Sequence, residues 1–360
     1  MLLSPQHKFI IYFFPFLTPS IYAQTTQICD STNATTNSGR YTFFPDITTT
    51  DKSGYQCTDV SCPLQEEMRT VKTNLILFKF SLADENSGSV GSTTQFNTTF
   101  SWSSSPDIPA PPSFPSLTLN LPSILPIAIS NISLFPLTNN WALYPGNPLH
   151  TISATTPDSL LNASVIAACY LNIYLDLEPS LSLDKRFSAT KISIWQANYG
   201  GLIPLGYNDT TSTITRPVIN LAGISYTLYV SQTSPSTSSS PSNSNSSTIV
   251  NDEPQVPQTI YTWFPSVNAT TLTAMDISPL LNYLWREVYI SSNTYVGFVE
   301  WGLDARNSIG NVTWSVYETG MTVKPGTPVR AVGMGRRKEV GRGEMLALVG
   351  LFVGAVVLFG

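Results

Sequence analysis

Apolar and polar side chains alternate over short distances along this chain, and the clearest example lies at 187–206. Its side chains divide between two faces: Thr190, Ile192 and Ile194 on one, and Lys191, Ser193 and Trp195 on the other. The alternation predicts a strand with one buried and one accessible face. The accessible face is either simply solvated or a place where a lysine, a serine and a tryptophan take part in chemistry.

Short runs of this kind recur between clusters of Pro, Gly, Asn and Ser. They predict strands at 75–80, 95–102, 127–132, 165–177, 191–195, 225–230, 259–264, 294–300 and 311–317. Only 276–288 has apolar residues at helical spacing, and we predict one short helix there. The 27 prolines exclude a helix bundle, because each proline inside a helix costs about 3 kcal/mol. The predicted class is all-β, a sandwich or a barrel.

Both ends of the chain resemble processing signals. Residues 1–23 carry a basic start, an apolar run and small residues before Gln24, which is typical of a secretory signal peptide. Residues 326–360 contain small residues, a basic spacer and a terminal apolar run, the order of a GPI-attachment signal with Ala331, Gly333 or Gly335 as the attachment site. The alternative is a plain C-terminal membrane anchor, although about 15 apolar residues fall short of the roughly 20 that span a bilayer.

The composition of 24–325 is typical of an extracellular glycoprotein. Asn-x-Ser/Thr sequons occur at Asn33, Asn97, Asn131, Asn162, Asn208, Asn245, Asn268 and Asn311. Residues 232–258 are mostly Ser, Pro, Thr and Asn, and we predict a disordered insertion there, because so few apolar residues cannot offset the entropy of ordering. The net charge of −5 argues against nucleic acid or an anionic membrane surface as a partner. With 2 histidines in the chain, a metal site is not expected.

The opening strand and the turn after it resemble a known family. The matching residues are Ile194, Trp195, Tyr199, Gly200, Pro204 and Gly206. They fall in register on the nucleophile strand of the glycoside hydrolases of family 12, which are secreted endo-β-1,4-glucanases and xyloglucanases. Weaker matches follow in family order at 96–102, 129–141, 223–229 and 295–304. The resemblance implies a jelly-roll sandwich of two antiparallel sheets, a concave groove for an extended glucan chain, and no cofactor.

The resemblance also bears on the domain and the cysteines. It implies that 232–258 is a loop inside a single domain spanning 24–325. The four cysteines allow three pairings if all are bridged, and the resemblance implies a disulfide between Cys29 and Cys57. Cys62 and Cys169 are then either bridged to each other or left as free thiols.

The family's catalytic positions fall on three residues of this chain. The nucleophile position is Lys191, the acid/base position is Asp304, and an accessory acidic position is Asn172. Retaining glycosidases need two carboxyl groups about 5 to 5.5 Å apart, and an ammonium group cannot replace the attacking carboxylate. We therefore expect catalytic impairment.

Glu300 offers an alternative to this expectation. It lies four residues before Asp304 and therefore on the same face of a regular strand. The two could form an inverting pair, which needs a wider gap of about 6.5 to 9.5 Å. The interpretation that we favour is a structural ion pair between Glu300 and Lys191.

Aromatic residues of the expected groove are candidate sugar platforms, because ring faces stack on pyranose C–H groups. They are Trp102, Trp195, Tyr199 and Trp301, whereas Trp141 is better explained as sandwich core. We expect a secreted monomer, GPI-anchored to the plasma membrane or cell wall, that binds β-glucan or xyloglucan and meets a membrane only through its C-terminal anchor. The alternatives are an active glucanase that uses Asp304 and Glu300, and a structural cell-wall glycoprotein.

Overall fold

The computed structural model describes residues 24–28, 33–35, 39–45, 55–62, 94–101, 113–147, 156–207, 215–234 and 254–327, with the backbone alone at 24–28, 34 and 55–62. All of them belong to one compact unit. Several predictions lie outside the described residues: the signal peptide, the strand at 75–80, Trp102, most of the insertion and the C-terminal tail. The Cys29–Cys57 disulfide lies outside as well, since Cys29 is not described and Cys57 is described by its backbone alone.

Strands dominate the described part of the chain. They are β1 (Gln24–Ile28), β2 (Ala34–Thr35), β3 (Tyr41–Phe44), β4 (Tyr55–Cys62), β5 (Thr94–Ser101), β6 (Ser116–Leu119), β7 (Ile127–Ala128), β8 (Ile132–Leu134), β9 (Pro136–Pro145), β10 (Ile166–Asp176), β11 (Thr190–Tyr199), β12 (Val218–Leu221), β13 (Ile224–Thr233), β14 (Gln258–Pro265), β15 (Thr271–Asp276), β16 (Tyr295–Asn307), β17 (Val312–Met321) and β18 (Lys324–Pro325). The helices are α1 (Pro157–Asn162), α2 (Pro179–Ser182) and α3 (Ser278–Arg286), and a 3₁₀ turn covers Ile129–Asn131.

Two large sheets contain most of these strands. The smaller has the order β1-β4-β5-β17-β9-β15, and the larger has the order β12-β13-β14-β11-β10-β16-β6-β3-β2, with β7 also beside β16. The neighbours of β10 are antiparallel to it, whereas β11 and β14 run parallel. The predicted all-β class and two-sheet sandwich are confirmed, and the parallel pair is a feature that the sequence pattern did not indicate.

Large aromatic side chains fill the space between the sheets. Trp301 of β16 lies against Trp314 of β17, with ring centroids 5.0 Å apart, and Phe96 of β5 packs edge-on against Trp314 at 5.1 Å. Ile192 and Ile194 of β11 are fully buried, as the alternation predicts. Each such burial contributes about 1.5 to 3 kcal/mol, so this interior holds the two sheets together.

A buried polar side chain, Gln196, also joins the sheets. Its Oε1 accepts hydrogen bonds from the indole N–H groups of Trp141, at 3.3 Å, and Trp301, at 3.1 Å. Trp141 is thus core, as predicted. Gln196 follows Ile194 by two residues and therefore points into the sandwich, and the pairing of β10 with β11 is irregular beside it. Cys169 is a free thiol buried in the same region, so its bridge to Cys62 is not formed.

The helix prediction is confirmed, and one strand prediction is wrong. Helix α3 covers Ser278–Arg286, inside the predicted 276–288. The predicted strand at 127–132 is divided among β7, the 3₁₀ turn and β8. The physical reason is spacing, since the fully buried Ile129 and Ile132 are three residues apart, and a 3₁₀ turn brings positions i and i+3 to one side. Among the helices of the described residues, none is long and apolar enough to cross a membrane.

Candidate functional site

The predicted catalytic positions come together on one face of the larger sheet. Along β10, β11 and β16 every second side chain points into the sandwich, and the others point away from the smaller sheet. We call this second surface the outer face, and its central residues are Tyr170, Asn172, Tyr174, Lys191, Ser193, Trp195, Glu300, Gly302 and Asp304. The outer face therefore contains the three positions that the family resemblance links to chemistry, Lys191, Asn172 and Asp304, together with Glu300.

Strand register arranges these residues in rows. Asn172 of β10 lies between Ser193 of β11 and Glu300 of β16. Tyr174 lies beside Lys191, one rung along β10. Tyr170, one rung in the other direction, lies between Trp195 and Gly302. Directly paired residues have Cβ atoms about 4.5 to 5.5 Å apart, so each row is a line of side chains in contact range.

Glu300 is buried, with 2% of its surface exposed, and its carboxylate is fully engaged. Its Oε1 accepts hydrogen bonds from the Tyr174 hydroxyl at 2.8 Å and from Asn172 Nδ2 at 3.1 Å. Its Oε2 lies 3.5 Å from Lys185 Nζ. The expected ion pair between Glu300 and Lys191 is therefore wrong. Glu300 pairs instead with Lys185, which belongs to the segment after α2.

Lys191 has aromatic rather than acidic neighbours. Its ammonium lies 5.5 Å from the ring centroid of Tyr174 and 5.9 Å from that of Tyr170, which is cation–π range. No carboxylate of the described residues lies within 4.0 Å of it. Burial lowers the pKa of the Lys191 ammonium, and the negative charge of Glu300 partly opposes this effect.

Asp304, at the acid/base position, is held by an arginine. Arg306 Nε lies 3.0 Å from Asp304 Oδ1, and Arg306 Nη2 lies 2.9 Å from Oδ2, a bidentate pair. The Tyr170 hydroxyl also donates to Oδ2 at 3.2 Å. The hydrogen bonds that Arg306 itself donates to Asp304 raise the pKa of the arginine. Both oxygens of Asp304 act as acceptors, so neither is placed to donate a proton to a leaving group.

The sequence reasoning missed Arg306, although a signal was present. Arg306 follows Asp304 by two residues, which is the spacing that places two side chains on one face of a strand. A carboxylate and a guanidinium at that spacing are within reach of each other. A second acidic and basic pair with a spacing of two residues, Asp184 and Arg186, lies outside the strands and forms an ion pair at 2.6 Å.

Glu300 and Asp304 are not arranged as an inverting pair. Four residues of strand place their Cα atoms about 13 Å apart. Gly302 lies between them, and a Cβ at Gly302 would stand 2.8 Å from Cζ of Phe114, so this ring covers the gap. Each carboxylate also binds a different cation.

A row of aromatic rings in contact, two pairs stacked and one tilted, crosses the outer face. The Phe114 and Tyr170 rings are 5.0 Å apart, the Tyr170 and Trp195 rings 5.3 Å, and the Trp195 and Phe264 rings 5.4 Å. Trp195 thus has β10 aromatics on one side and β14 aromatics on the other, and only 6% of it is exposed. The indole of Trp195 is thus stacked on Tyr170 and flanked by the tilted Phe264 ring, so little of the predicted sugar platform is accessible.

Two other predicted platforms lie in the interior. Trp301 is fully buried between the sheets, because alternation puts it on the side of β16 opposite Glu300. Tyr199 is part of the hydrophobic core as well. Neither can stack on a sugar in this arrangement, so both predictions are corrected.

The exposed end of the aromatic row was not predicted. Tyr207, which is 38% exposed, stacks on Tyr229 at 5.1 Å and meets Phe264 at 5.7 Å. Arg216 lies over the Tyr229 ring at 4.7 Å. Of the aromatic residues on this face, Tyr207 is the most accessible to a ligand.

Two buried polar atoms beside Glu300 have no hydrogen-bond partner within the described part of the chain. They are Asn172 Oδ1 and Thr118 Oγ1, and both are buried. Strand register places Thr118 and Asn172 on opposite sides of Glu300. A buried acceptor without a donor costs about 1 to 3 kcal/mol, so a ligand hydroxyl could supply what is missing. No group of three or more metal-ligating side chains occurs among the described residues.

Comparisons with known proteins agree on the fold. No protein-family model matches the chain, and no curated protein sequence is similar to it. Among solved structures, the catalytic domain of Cel12A from Humicola grisea is similar over 83% of this chain and 99% of its own, with 16% identity and a TM-score of 0.52. Endoglucanase 3 of family GH12 from Trichoderma harzianum is similar over 84% and 99%, with 16% identity and a TM-score of 0.52. The family 12 xyloglucanase of Bacillus licheniformis is similar over 84% and 100%, with 12% identity and a TM-score of 0.53. The chain thus has a fold like that of glycoside hydrolase family 12.

Proposed function

We propose that this protein is a non-hydrolytic relative of the family 12 glycoside hydrolases that binds β-glucan or xyloglucan-type polysaccharide on the outer face. The observation that carries the proposal is the state of the two catalytic positions. Lys191 stands where a carboxylate would attack, and Asp304 is held by Arg306 through both oxygens. The structures with the same fold are named as an endoglucanase and a xyloglucanase, and the Humicola domain was studied with thio cellotetraose.

Hydrolysis with retention needs a nucleophile and a proton donor on either side of the scissile bond. Lys191 cannot form the glycosyl-carboxylate intermediate, and Asp304 can donate only after losing its arginine. A direct attack by water needs a second carboxylate at a suitable distance to act as the base. Glu300 does not fill this role, because its carboxylate is already bound by Lys185, Tyr174 and Asn172. The chemistry therefore favours binding over cleavage.

Tyr207 and Tyr229 support binding, because they offer partly exposed rings at the end of the aromatic row. We further propose that the protein is secreted, glycosylated and held at the cell surface by its C-terminal segment, which rests on the sequence signals alone.

The test is to measure hydrolysis and binding by the full-length protein secreted from a eukaryotic host. We expect no reducing-sugar release from barley β-glucan or xyloglucan, and retarded migration of the protein in gels that contain either polymer. Tyr207→Ala should weaken the retardation. The matched control is Tyr289→Ala, because Tyr289 is 40% exposed but packs beside α3 against Tyr261 and Tyr283. Hydrolysis at rates usual for glucanases would overturn the proposal, as would equal migration with and without polymer.

A structural cell-wall glycoprotein is the second candidate. The low exposure of Trp195 and the interior position of Trp301 favour it, because both remove platforms that a sugar-binding groove would use. Failure to be retained by cellulose, xyloglucan or β-1,3-glucan would support this candidate over the first.

A further inference from the structure

We infer that the outer face recognises an acidic saccharide, with Lys191 as the cation that pairs with a uronate carboxylate. The inference rests on the proposed polysaccharide binding and specifies its substrate class. A neutral glucan offers an ammonium at the centre of the binding face only uncharged acceptors, whereas a sugar oxidised at C6 offers a carboxylate.

The first argument is the balance of charge on this face. Arg306 is paired with Asp304 at 2.9 Å, and Lys185 is paired with Glu300 at 3.5 Å. Lys191 is the third cation. In the described part of the chain, its ammonium makes cation–π contacts with the rings of Tyr170 and Tyr174. Among the described residues, the face thus carries two matched pairs and one positive charge without a carboxylate within 4.0 Å, in a chain whose net charge is −5.

The second argument is the position of Lys191. It lies on β11, an inner strand of the larger sheet with β14 on one side and β10 on the other. Partial burial makes an ion pair at this position stronger than one on the open surface, because screening by water and salt is weaker there. A ligand carboxylate would meet an ammonium that already lies near the rings of Tyr170 and Tyr174.

The third argument is the acceptor beside it. Asn172 Oδ1 is buried and unpartnered, and its residue lies diagonally from Lys191 across the β10–β11 ladder, a spacing of about 7 to 8 Å. A carboxylate for Lys191 and a hydroxyl donor for Asn172 occur together on a uronic acid.

Protonation of Lys191 couples to binding in a defined direction. Burial lowers the pKa of Lys191, and Lys185 adds to this effect, whereas Glu300 and Asp304 oppose it. The other titratable groups facing the ammonium are Tyr170 and Tyr174. A bound carboxylate favours the charged amine, so affinity for an acidic saccharide should be highest near neutral pH and fall as the pH rises through the pKa of Lys191.

Calorimetric titration of the full-length protein with two matched ligands tests the inference. The ligands are cellotetraose and its C6-oxidised counterpart, which share length and linkage and differ in charge. We expect the oxidised ligand to bind about tenfold more tightly at about 0.02 M salt, which is the usual gain from a charge-assisted hydrogen bond. The advantage should remain at about fivefold at about 0.5 M salt, because a partly buried ion pair is screened less than an exposed one.

Variants locate the effect. Lys191→Gln should remove the preference for the oxidised ligand, Lys191→Arg should keep most of it, and Lys324→Gln, which changes an exposed lysine of β18, should leave it unchanged. Thermal unfolding of each variant establishes that it is folded. Equal affinity for both ligands, or a preference that survives in Lys191→Gln, would overturn the inference while leaving the proposed function intact. Binding of neither ligand would overturn both.

Discussion

Replacing Glu300 with glutamine separates a structural role of this carboxylate from a catalytic one. The variant keeps the side-chain shape and an oxygen that accepts from Asn172 Nδ2, but it loses the negative charge. The hydrogen bond from the Tyr174 hydroxyl, now 2.8 Å long, becomes a neutral one, which costs about 1 kcal/mol. Lys185, 22% exposed and 3.5 Å away, loses its partner, and its remaining hydration limits that cost to about another 1 kcal/mol.

The assay is urea-induced unfolding followed by tryptophan fluorescence. We expect Glu300→Gln to lower the free energy of unfolding by about 2 kcal/mol, which moves the midpoint by about 0.7 M for a slope of about 3 kcal/mol/M. The control is Glu287→Gln, because Glu287 is exposed just after α3, and its change should stay within about 0.5 kcal/mol. Neither substitution should alter reducing-sugar release, which we expect to be absent from the wild type.

Two results would refute this reasoning. If Glu300→Gln were as stable as the wild type, the contacts of Glu300 with Lys185 and Tyr174 would not be structural. If the wild type released reducing sugar and Glu300→Gln did not, Glu300 would be a catalytic group, as in the inverting alternative.

Gln196→Leu should lower the free energy of unfolding by about 2 to 4 kcal/mol, because two buried indole N–H groups lose their acceptor; a loss below about 1 kcal/mol in calorimetric unfolding would contradict this. Lys191→Glu combined with Asp304→Glu restores both family carboxylates, but we expect reducing-sugar assays to detect activity only when Arg306→Leu is added, since the arginine would otherwise keep the carboxylate at 304 as an acceptor. Burial lowers the pKa of Lys191 from 10.5, so between the folded pKa and 10.5 the unfolded chain binds more protons, and the free energy of unfolding rises with pH across that window. Lys191→Met should flatten this rise, and identical slopes for both proteins in urea unfolding at a series of pH values would exclude the effect.

Local sequence was sufficient for much of the architecture. The alternation at 190–195 correctly divided Ile192 and Ile194 from Lys191, and helical spacing correctly located α3. The same alternation should have placed Trp301 in the core, because it follows Glu300 by one residue and must face the other way. An aromatic residue next to a catalytic position in the sequence is therefore not a candidate ligand platform, because adjacent residues of a strand point to opposite sides of the sheet.

Contacts between distant segments could not be predicted in the same way. Asn172 meets Glu300 across 128 positions of sequence, and Lys185 reaches Glu300 from the segment after α2. The sequence offered Lys191 as the natural partner of Glu300, since both belong to strands of the expected groove. Which lysine lies within ion-pair distance of Glu300 depends on the path of the loop and on the side-chain rotamer. Neither the loop path nor the rotamer leaves a periodic pattern in the sequence.

The sequence by itself determined which side chains share a face of each strand, because the two-residue period of an extended backbone is a local property. It also determined that Lys191 and Asn172 stand where the resemblance expects acids. Only the tertiary structure decided what those side chains meet: Arg306 on Asp304, Lys185 on Glu300, and rings from β10 and β14 on both sides of Trp195. The reason is that neighbours in a sheet are chosen by strand pairing, which brings together residues from distant parts of the chain.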